Sequence, residues 1–163
     1  MSATPADTPL TALDEIDAVL AIATGSRLDL LRRRREEVRA HSQTSWEALF
    51  EPEDFGPLPA AERFAAAWRT AELSGATALT SRYLGLFEKV GGFAEIGRPR
   101  FVAILAHAEK VAREPRTAGR EDLAELAKAG LSPAAVVTLS QIIGFVAYQA
   151  RVVASLALLG ENA

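Results

Sequence analysis

The stretch from Pro133 to Leu159 places the strongest constraint on the fold, because it has a helical pattern and is apolar on almost every side. Its apolar residues are Val136, Val137, Leu139, Ile142, Ile143, Phe145, Val146, Val152, Val153, Leu156, Leu158 and Leu159. Such a helix either crosses a membrane or lies in the centre of a bundle or at a subunit interface. Arg151 would lie near the middle of a span, at a cost of about 2.5–3.5 kcal/mol. The stretch therefore predicts a bundle centre or an interface, and no membrane partner.

The rest of the chain also has helical patterns. No useful length alternates between apolar and polar residues with period two, so the fold class is all-α. Glu51 to Pro59 is a loop, since its three prolines and one glycine prevent a long helix. We expect a bundle of about six or seven helices. Residues 1–10 are predicted to be disordered, and residues 11–163 to form a single all-α domain.

Composition argues against several classes of function. The chain has no cysteine, which excludes disulfides, thiolate metal sites and thiol catalysis. It has two histidines, too few for a metal centre built on imidazoles, so no metal and no cofactor are expected. A net charge of −3 provides no basic field for nucleic acid. The first ten residues lack the basic and apolar regions of a signal peptide, so a cytoplasmic location is expected.

The run RRRREE, from Arg32 to Glu37, allows two interpretations. It could be a patch that binds nucleic acid, or a solvated helix face. On such a face Arg32 and Glu36, and likewise Arg33 and Glu37, are neighbours at a spacing of four. We expect the solvated face, because the adjacent glutamates reduce the local positive field.

A central segment, Glu62 to Val90, has the length and spacing of a catalytic helix pair. One apolar face consists of Phe64, Trp68, Ala71, Gly75, Leu79, Tyr83, Leu86 and Val90. Beside this face runs a row of hydroxyl side chains, namely Thr70, Ser74, Thr77 and Ser81. These hydroxyls could bond back to the carbonyls four residues earlier and allow close helix approach. Alternatively, they could form the floor of a polar pocket.

The arrangement of residues 62–83, together with the downstream block EDLAELAKAGLSPAAVVTLSQIIGFVAYQARVVASLALLG, resembles the alkylhydroperoxidase D-like and carboxymuconolactone decarboxylase superfamily. In that family a turn written aGls…ei introduces a long helix, which often contains an aromatic residue and an arginine near its centre. Here the turn reads AGLSP, and the helix carries Phe145, Tyr148 and Arg151. The resemblance covers the chain from about Ser45 to Gly160. It implies an alkylhydroperoxidase D-like bundle that forms a homo-oligomer.

The active hydroperoxidases of this family carry the motif E-x11-C-x2-C-x3-H. Placing Glu62 on the glutamate puts Ser74 and Thr77 at the two cysteines and Ser81 at the histidine. Peroxide reduction by this route needs a thiolate to attack the O–O bond and a second thiol to resolve the sulfenic acid. A serine hydroxyl has neither the acidity nor the nucleophilicity for this step. The resemblance therefore implies a member without thiol peroxidase activity, in which Glu62 is the plausible proton carrier.

Two functions are consistent with this pattern. The chain could be a non-peroxidatic interaction or regulatory partner, for example of an active hydroperoxidase-like homologue. Alternatively, it could be a cofactor-free enzyme or small-molecule binder of the carboxymuconolactone decarboxylase type, with Glu62 as catalytic residue and Ser74, Thr77 and Ser81 in its pocket. An open cavity and a raised pKa at Glu62 would favour the enzyme, and a buried pair with an arginine would favour the interaction partner.

His107 and Arg151 are the other candidate residues. His107 lies on an apolar-striped helix, which is typical of a hydrogen-bonded structural histidine rather than a catalytic one. Arg151 lies on the apolar last helix and is expected to pair with a buried carboxylate, since an unpaired buried charge is costly. Glu62 is the candidate partner for that pair.

Overall fold

A computed structural model describes residues 14–161 of the chain. Within this range the chain forms eight α-helices and no strand, so the all-α prediction is confirmed. The helices are α1 (Glu15–Val19), α2 (Arg27–Arg33), α3 (Glu36–Phe50), α4 (Ala60–Leu73), α5 (Thr77–Lys89), α6 (Pro99–Arg113), α7 (Arg120–Lys128) and α8 (Pro133–Glu161). The expected disorder of residues 1–10 lies outside the described residues.

Local sequence signals set several of the helix ends. The Ser26 side chain caps α2 by accepting a hydrogen bond from the Asp29 N–H at 3.2 Å. Ser132 caps α8 in the same way, accepting from the Ala135 N–H at 3.2 Å. Gly130 follows α7 with a φ of +86°, a conformation that glycine adopts without steric cost.

Helix α4 is the centre of the bundle and contacts α5, α6 and α8. Its alanines lie fully buried at these contacts, which lets the neighbouring helices approach closely; they are Ala65, Ala66, Ala67 and Ala71. Aromatic rings fill the space around α4. Phe50 contacts Phe64 and Tyr83, with ring centroids 5.4 and 5.2 Å apart.

Helix α8 has a buried side and an exposed side. Leu139, Ile142 and Val146 lie in the core, whereas Val137 is 59% exposed. By length and composition α8 could cross a membrane, and 39% of its most apolar window is buried inside the structure. The inner side of α8 therefore packs within the bundle, as the sequence pattern indicates.

The arginine run does not form one solvated helix face. Helix α2 ends at Arg33 and α3 begins at Glu36, so a break interrupts the run. The side chain of Arg32 is 9% exposed and contacts Asp14 and Asp17, with its Nη2 2.7 Å from Asp14 Oδ2. Burial alone would lower the pKa of Arg32, but its bonds to Asp14 and Asp17 raise it. The prediction of a solvated face is wrong for Arg32, because carboxylates from earlier in the chain cover this side chain.

Candidate functional site

The central segment forms two helices that fold back on each other. Helix α4 ends at Leu73 and α5 begins at Thr77, and the turn between them contains Gly75 with a φ of +69°. Trp68 of α4 stacks on Phe87 of α5, with ring centroids 5.9 Å apart. The helix pair is present, but Gly75 belongs to the turn and not to the apolar face predicted from its spacing.

The row of hydroxyls divides at this turn. Thr70 is buried and donates to the Ala66 carbonyl oxygen at 2.8 Å, and Ser74 donates to the Thr70 carbonyl oxygen at 2.8 Å. These bonds match the interpretation in which hydroxyls bond back to the preceding turn. Ser74, Thr77 and Ser81 are all exposed. None of the three belongs to the lining of the cavity that is described below.

The buried carboxylate of Glu62 forms an ion pair with the partly exposed Arg100. This carboxylate is bound at both oxygens, with Arg100 Nε 2.6 Å from Oε1 and Nη2 2.9 Å from Oε2. Arg100 also donates to the carbonyl oxygens of Gly130 and, at 2.8 Å, Pro57. The pair therefore holds α4, α6, the loop before α4 and the turn before α8 together, and its bidentate geometry is the strong form of an arginine–carboxylate bond.

The neighbouring Arg63 fixes the loop that precedes α4. It is buried, and its guanidinium donates to the carbonyl oxygens of Leu49, Phe55 and Leu58, each at 2.7 Å. Burial lowers the pKa of Arg63, and the charge of Asp54 opposes this effect. Two consecutive charged residues at the start of α4 thus bind other segments: Glu62 binds α6, and Arg63 binds the end of α3 and the loop before α4.

Glu62 does not lie beside Ser74, the residue aligned with the first cysteine of the hydroperoxidase motif. Glu62 lies in the first turn of α4, and Ser74 follows its last residue, twelve positions later. At 1.5 Å per residue, the two are about 18 Å apart along the helix axis. Thr77 and Ser81 lie on α5, beyond the turn. Both oxygens of the Glu62 carboxylate are bound to Arg100.

Arg151 does not pair with Glu62, contrary to the sequence-based expectation. It lies on the exposed side of α8, where its Nη1 donates to the Ala147 carbonyl oxygen at 3.2 Å. Because α8 has apolar residues on all sides, its sequence pattern does not show which side faces solvent. Sequence reasoning also missed Arg100, the observed partner, because 38 positions separate it from Glu62. The sequence offered only a general indication of this pair, because a buried carboxylate needs a cation nearby.

His107 lies in the wall of a cavity of about 700 Å³ between α6 and α7. Its side chain is buried, and its Nδ1 has no hydrogen-bond partner among residues 14–161. The expectation of a hydrogen-bonded histidine is therefore wrong for this nitrogen. Burial lowers the pKa of His107, with Asp122 opposing the shift and Lys110 adding to it. The imidazole is consequently neutral at pH 7.

Comparisons with protein-family models, with curated proteins and with solved structures find no match to this chain. The resemblance to the alkylhydroperoxidase D-like superfamily therefore stays a hypothesis based on sequence. Over the part of the chain that the structure describes, no group of three or more histidine, aspartate or glutamate side chains could hold a metal ion.

Proposed function

We propose that this chain is a non-catalytic interaction protein that forms a homo-oligomer through the exposed side of α8. The observation that carries this proposal is a stripe of residues along the longest helix of the bundle, here called the outer face of α8. These residues follow one another at steps of three or four and are all exposed: Val137, Gln141, Gly144, Tyr148, Arg151, Ser155 and Leu159. Arg151 is their one charged member.

Packing within the part of the chain that the structure describes does not explain why a glycine stands at position 144 of the outer face. Glycine in the middle of a helix costs about 0.8–1.0 kcal/mol relative to alanine. A β-carbon at Gly144 would meet no heavy atom within 4 Å among the described residues. Packing within the described bundle therefore does not require glycine at this position. A second helix that crosses α8 at Gly144 would use the missing side chain for close approach.

A second copy of the chain suits the outer face. In a two-fold dimer the same surface of both subunits meets, so residues near the axis contact their own copies. Gly144 and Tyr148 lie close to the midpoint of α8, where two such helices can cross symmetrically. The family resemblance also implies an oligomer. An active hydroperoxidase-like homologue would present a comparable helix and is the heterologous partner that the resemblance implies.

The geometry of Glu62 supports a non-catalytic role. A general acid or base must exchange a proton with a bound molecule, and it usually has a perturbed environment in a cleft. Glu62 instead has both its oxygens bound to Arg100. Peroxide reduction by a thiol mechanism has no cysteine to use. We therefore place the interaction role ahead of a decarboxylase-type enzyme that would use Glu62.

Light scattering with size-exclusion chromatography tests this proposal. The full chain at micromolar concentration is expected to be an oligomer, and Tyr148→Glu is expected to shift it to the monomer, because charge on the two-fold interface is repulsive. Ser81→Glu is the matched control, since Ser81 is an exposed residue on α5. A monomeric wild-type chain, or equal effects of both variants, would contradict the proposal.

An assay with an organic hydroperoxide and a dithiol reductant tests the non-peroxidatic part. The wild-type chain is expected to leave the rate of hydroperoxide loss at its uncatalysed value. Turnover above this background that scales with protein concentration would refute the proposal that the chain is not a peroxidase.

A further inference from the structure

The cavity between α6 and α7 has the size and walls of a small-molecule site. Its volume of about 700 Å³ lies within the range of roughly 300–1,000 Å³ that is usual for ligand pockets. Aliphatic side chains form much of its wall; they are Val102, Ala103, Ala106, Leu126 and Ala129. A molecule that fills this space would therefore contact apolar groups over much of its surface.

His107 provides a polar group in this wall whose hydrogen bonding is incomplete. The side chain is 8% exposed, and none of the described residues bonds to its Nδ1. Nδ1 itself is closed off from solvent, so a molecule in the cavity would reach the imidazole at Nε2, which also has no partner among the described residues. A hydroxyl on a bound molecule can both donate to and accept from a neutral imidazole.

The charged residues of the lining are paired with one another. Lys110 Nζ lies 2.6 Å from Asp122 Oδ1, and Lys128 Nζ lies 2.5 Å from Glu125 Oε1. Two cations and two anions cancel, and His107 adds no charge at pH 7 because burial lowers its pKa. The lining therefore has no excess charge that would select an ionic ligand.

We propose that this cavity binds a neutral, largely apolar small molecule that carries a hydroxyl group, with His107 as the hydrogen-bond partner of that hydroxyl. This site is separate from the outer face of α8, and its occupancy does not depend on the interaction role proposed above. His107 acts as a binding residue in this account, without a chemical step.

Three probes that share one ring separate the parts of this proposal. Phenol has the ring and the hydroxyl, toluene has the ring alone, and benzoate carries a charge. NMR titrations of the full chain are expected to show that phenol binds and shifts the imidazole signals of His107. Toluene is expected to bind about 3- to 10-fold more weakly than phenol, which is the usual contribution of one hydrogen bond. Benzoate is expected to bind more weakly than phenol.

His107→Leu is expected to remove the preference for phenol over toluene. The substitution should preserve the fold, because it replaces a buried nitrogen that has no partner among the described residues by an apolar group. His41→Leu is the matched control, since His41 is exposed on α3, and it is expected to keep the preference.

The wild-type titrations decide the proposal even if a variant fails to fold. Equal affinity for phenol and toluene, tightest binding of benzoate, or no phenol binding at tens of millimolar would each overturn it. A preference for phenol that persists in His107→Leu would overturn the assignment of His107.

Discussion

Glu62 and Arg100 form a bidentate ion pair that joins the first turn of α4 to the first turn of α6. Arg100 extends this connection to the carbonyl oxygens of Pro57 and Gly130. The glutamate that sequence reasoning singled out as a proton carrier is thus part of a junction between four segments of the fold. This structural role explains why the Glu62 carboxylate is buried.

The first prediction concerns Arg100→Met. This substitution leaves the Glu62 carboxylate buried without its cation, and removing one member of a buried pair typically costs about 3–5 kcal/mol. Because the Arg100 side chain is 27% exposed, we expect a smaller loss of about 2–4 kcal/mol in the free energy of unfolding. Urea unfolding followed by circular dichroism measures this loss.

Arg69→Met is the matched control for Arg100→Met. Arg69 is about as exposed as Arg100, but its carboxylate partners Glu72 and Glu109 are 44% and 38% exposed, whereas the Glu62 side chain is 7% exposed. Exposed pairs contribute about 0–1 kcal/mol, so the control is expected to lose no more than this. If Arg100→Met costs no more than Arg69→Met, Glu62 is not a structural junction.

The features that could be predicted from sequence depend on neighbouring residues. The caps at Ser26 and Ser132 and the left-handed Gly130 each follow from a few adjacent positions, and the structure has all three. The hydroxyls of Thr70 and Ser74 bond to carbonyls four residues earlier, which is also a local relationship.

The features that could not be predicted depend on pairing across long sequence separations. Arg32 is buried by Asp14 and Asp17, which lie 18 and 15 positions earlier, and its four-residue neighbour Glu36 plays no part in this pairing. Glu62 finds its cation at Arg100, 38 positions later. Helical periodicity contains no information about such pairs, because it describes one helix at a time.

The second prediction compares two adjacent arginines. Arg32→Leu leaves the buried Asp14 and Asp17 without one of their cations, so we expect a loss of about 3 kcal/mol in the free energy of unfolding. This value is at the lower end of the range for buried pairs, since Arg39 Nη2 still lies 2.5 Å from Asp17 Oδ2. The measurement is urea unfolding, combined with hydrogen exchange of the α1 amides.

Arg33→Leu is the matched control for Arg32→Leu. The Arg33 side chain is 43% exposed, and its buried partner Asp29 keeps the Gly25 N–H at 2.7 Å and Arg39 at 3.9 Å. We therefore expect Arg33→Leu to lower the free energy of unfolding by less than about 1 kcal/mol. If Arg32→Leu and Arg33→Leu lower the free energy of unfolding by similar amounts, the arginine run is a solvated face.

The third prediction concerns the pH dependence that His107 introduces. Burial lowers its pKa from the ordinary value of 6.5, so the unfolded chain takes up a proton at a pH where the folded chain does not. The free energy of unfolding is therefore expected to fall as the pH decreases below about 6.5, with a slope of at most about 1.4 kcal/mol per pH unit. The charge of Asp122 raises the pKa of His107 and the charge of Lys110 lowers it. The two neighbours therefore change the width of this pH range in opposite directions.

His107→Leu is expected to remove this slope. The carboxylates whose pKa values are lowered, Asp29, Glu109 and Asp122, lose their contribution only below their ordinary values of 3.8, 4.5 and 3.8. The pH range in which His107 lowers the free energy of unfolding therefore lies above the range in which these carboxylates do. Urea unfolding of both chains between about pH 7.5 and about pH 5 makes the comparison. An unchanged slope in His107→Leu would show that His107 is not the group responsible.

The proposed interface on α8 can be tested directly because the chain has no cysteine of its own. Single substitutions along the outer face, namely Val137→Cys, Gln141→Cys, Tyr148→Cys and Ser155→Cys, give each chain one thiol. A disulfide requires Cα atoms about 4.4–6.8 Å apart, so only positions near the two-fold axis can link two copies. Ser81→Cys on α5 is the exposed control.

Oxidation of these variants followed by non-reducing electrophoresis is the measurement that decides the account. We expect rapid formation of a covalent dimer at Tyr148→Cys, weaker linking toward the ends of α8, and none above background at Ser81→Cys. Equal and slow linking at every position would contradict the assignment of α8 as the surface through which this protein associates.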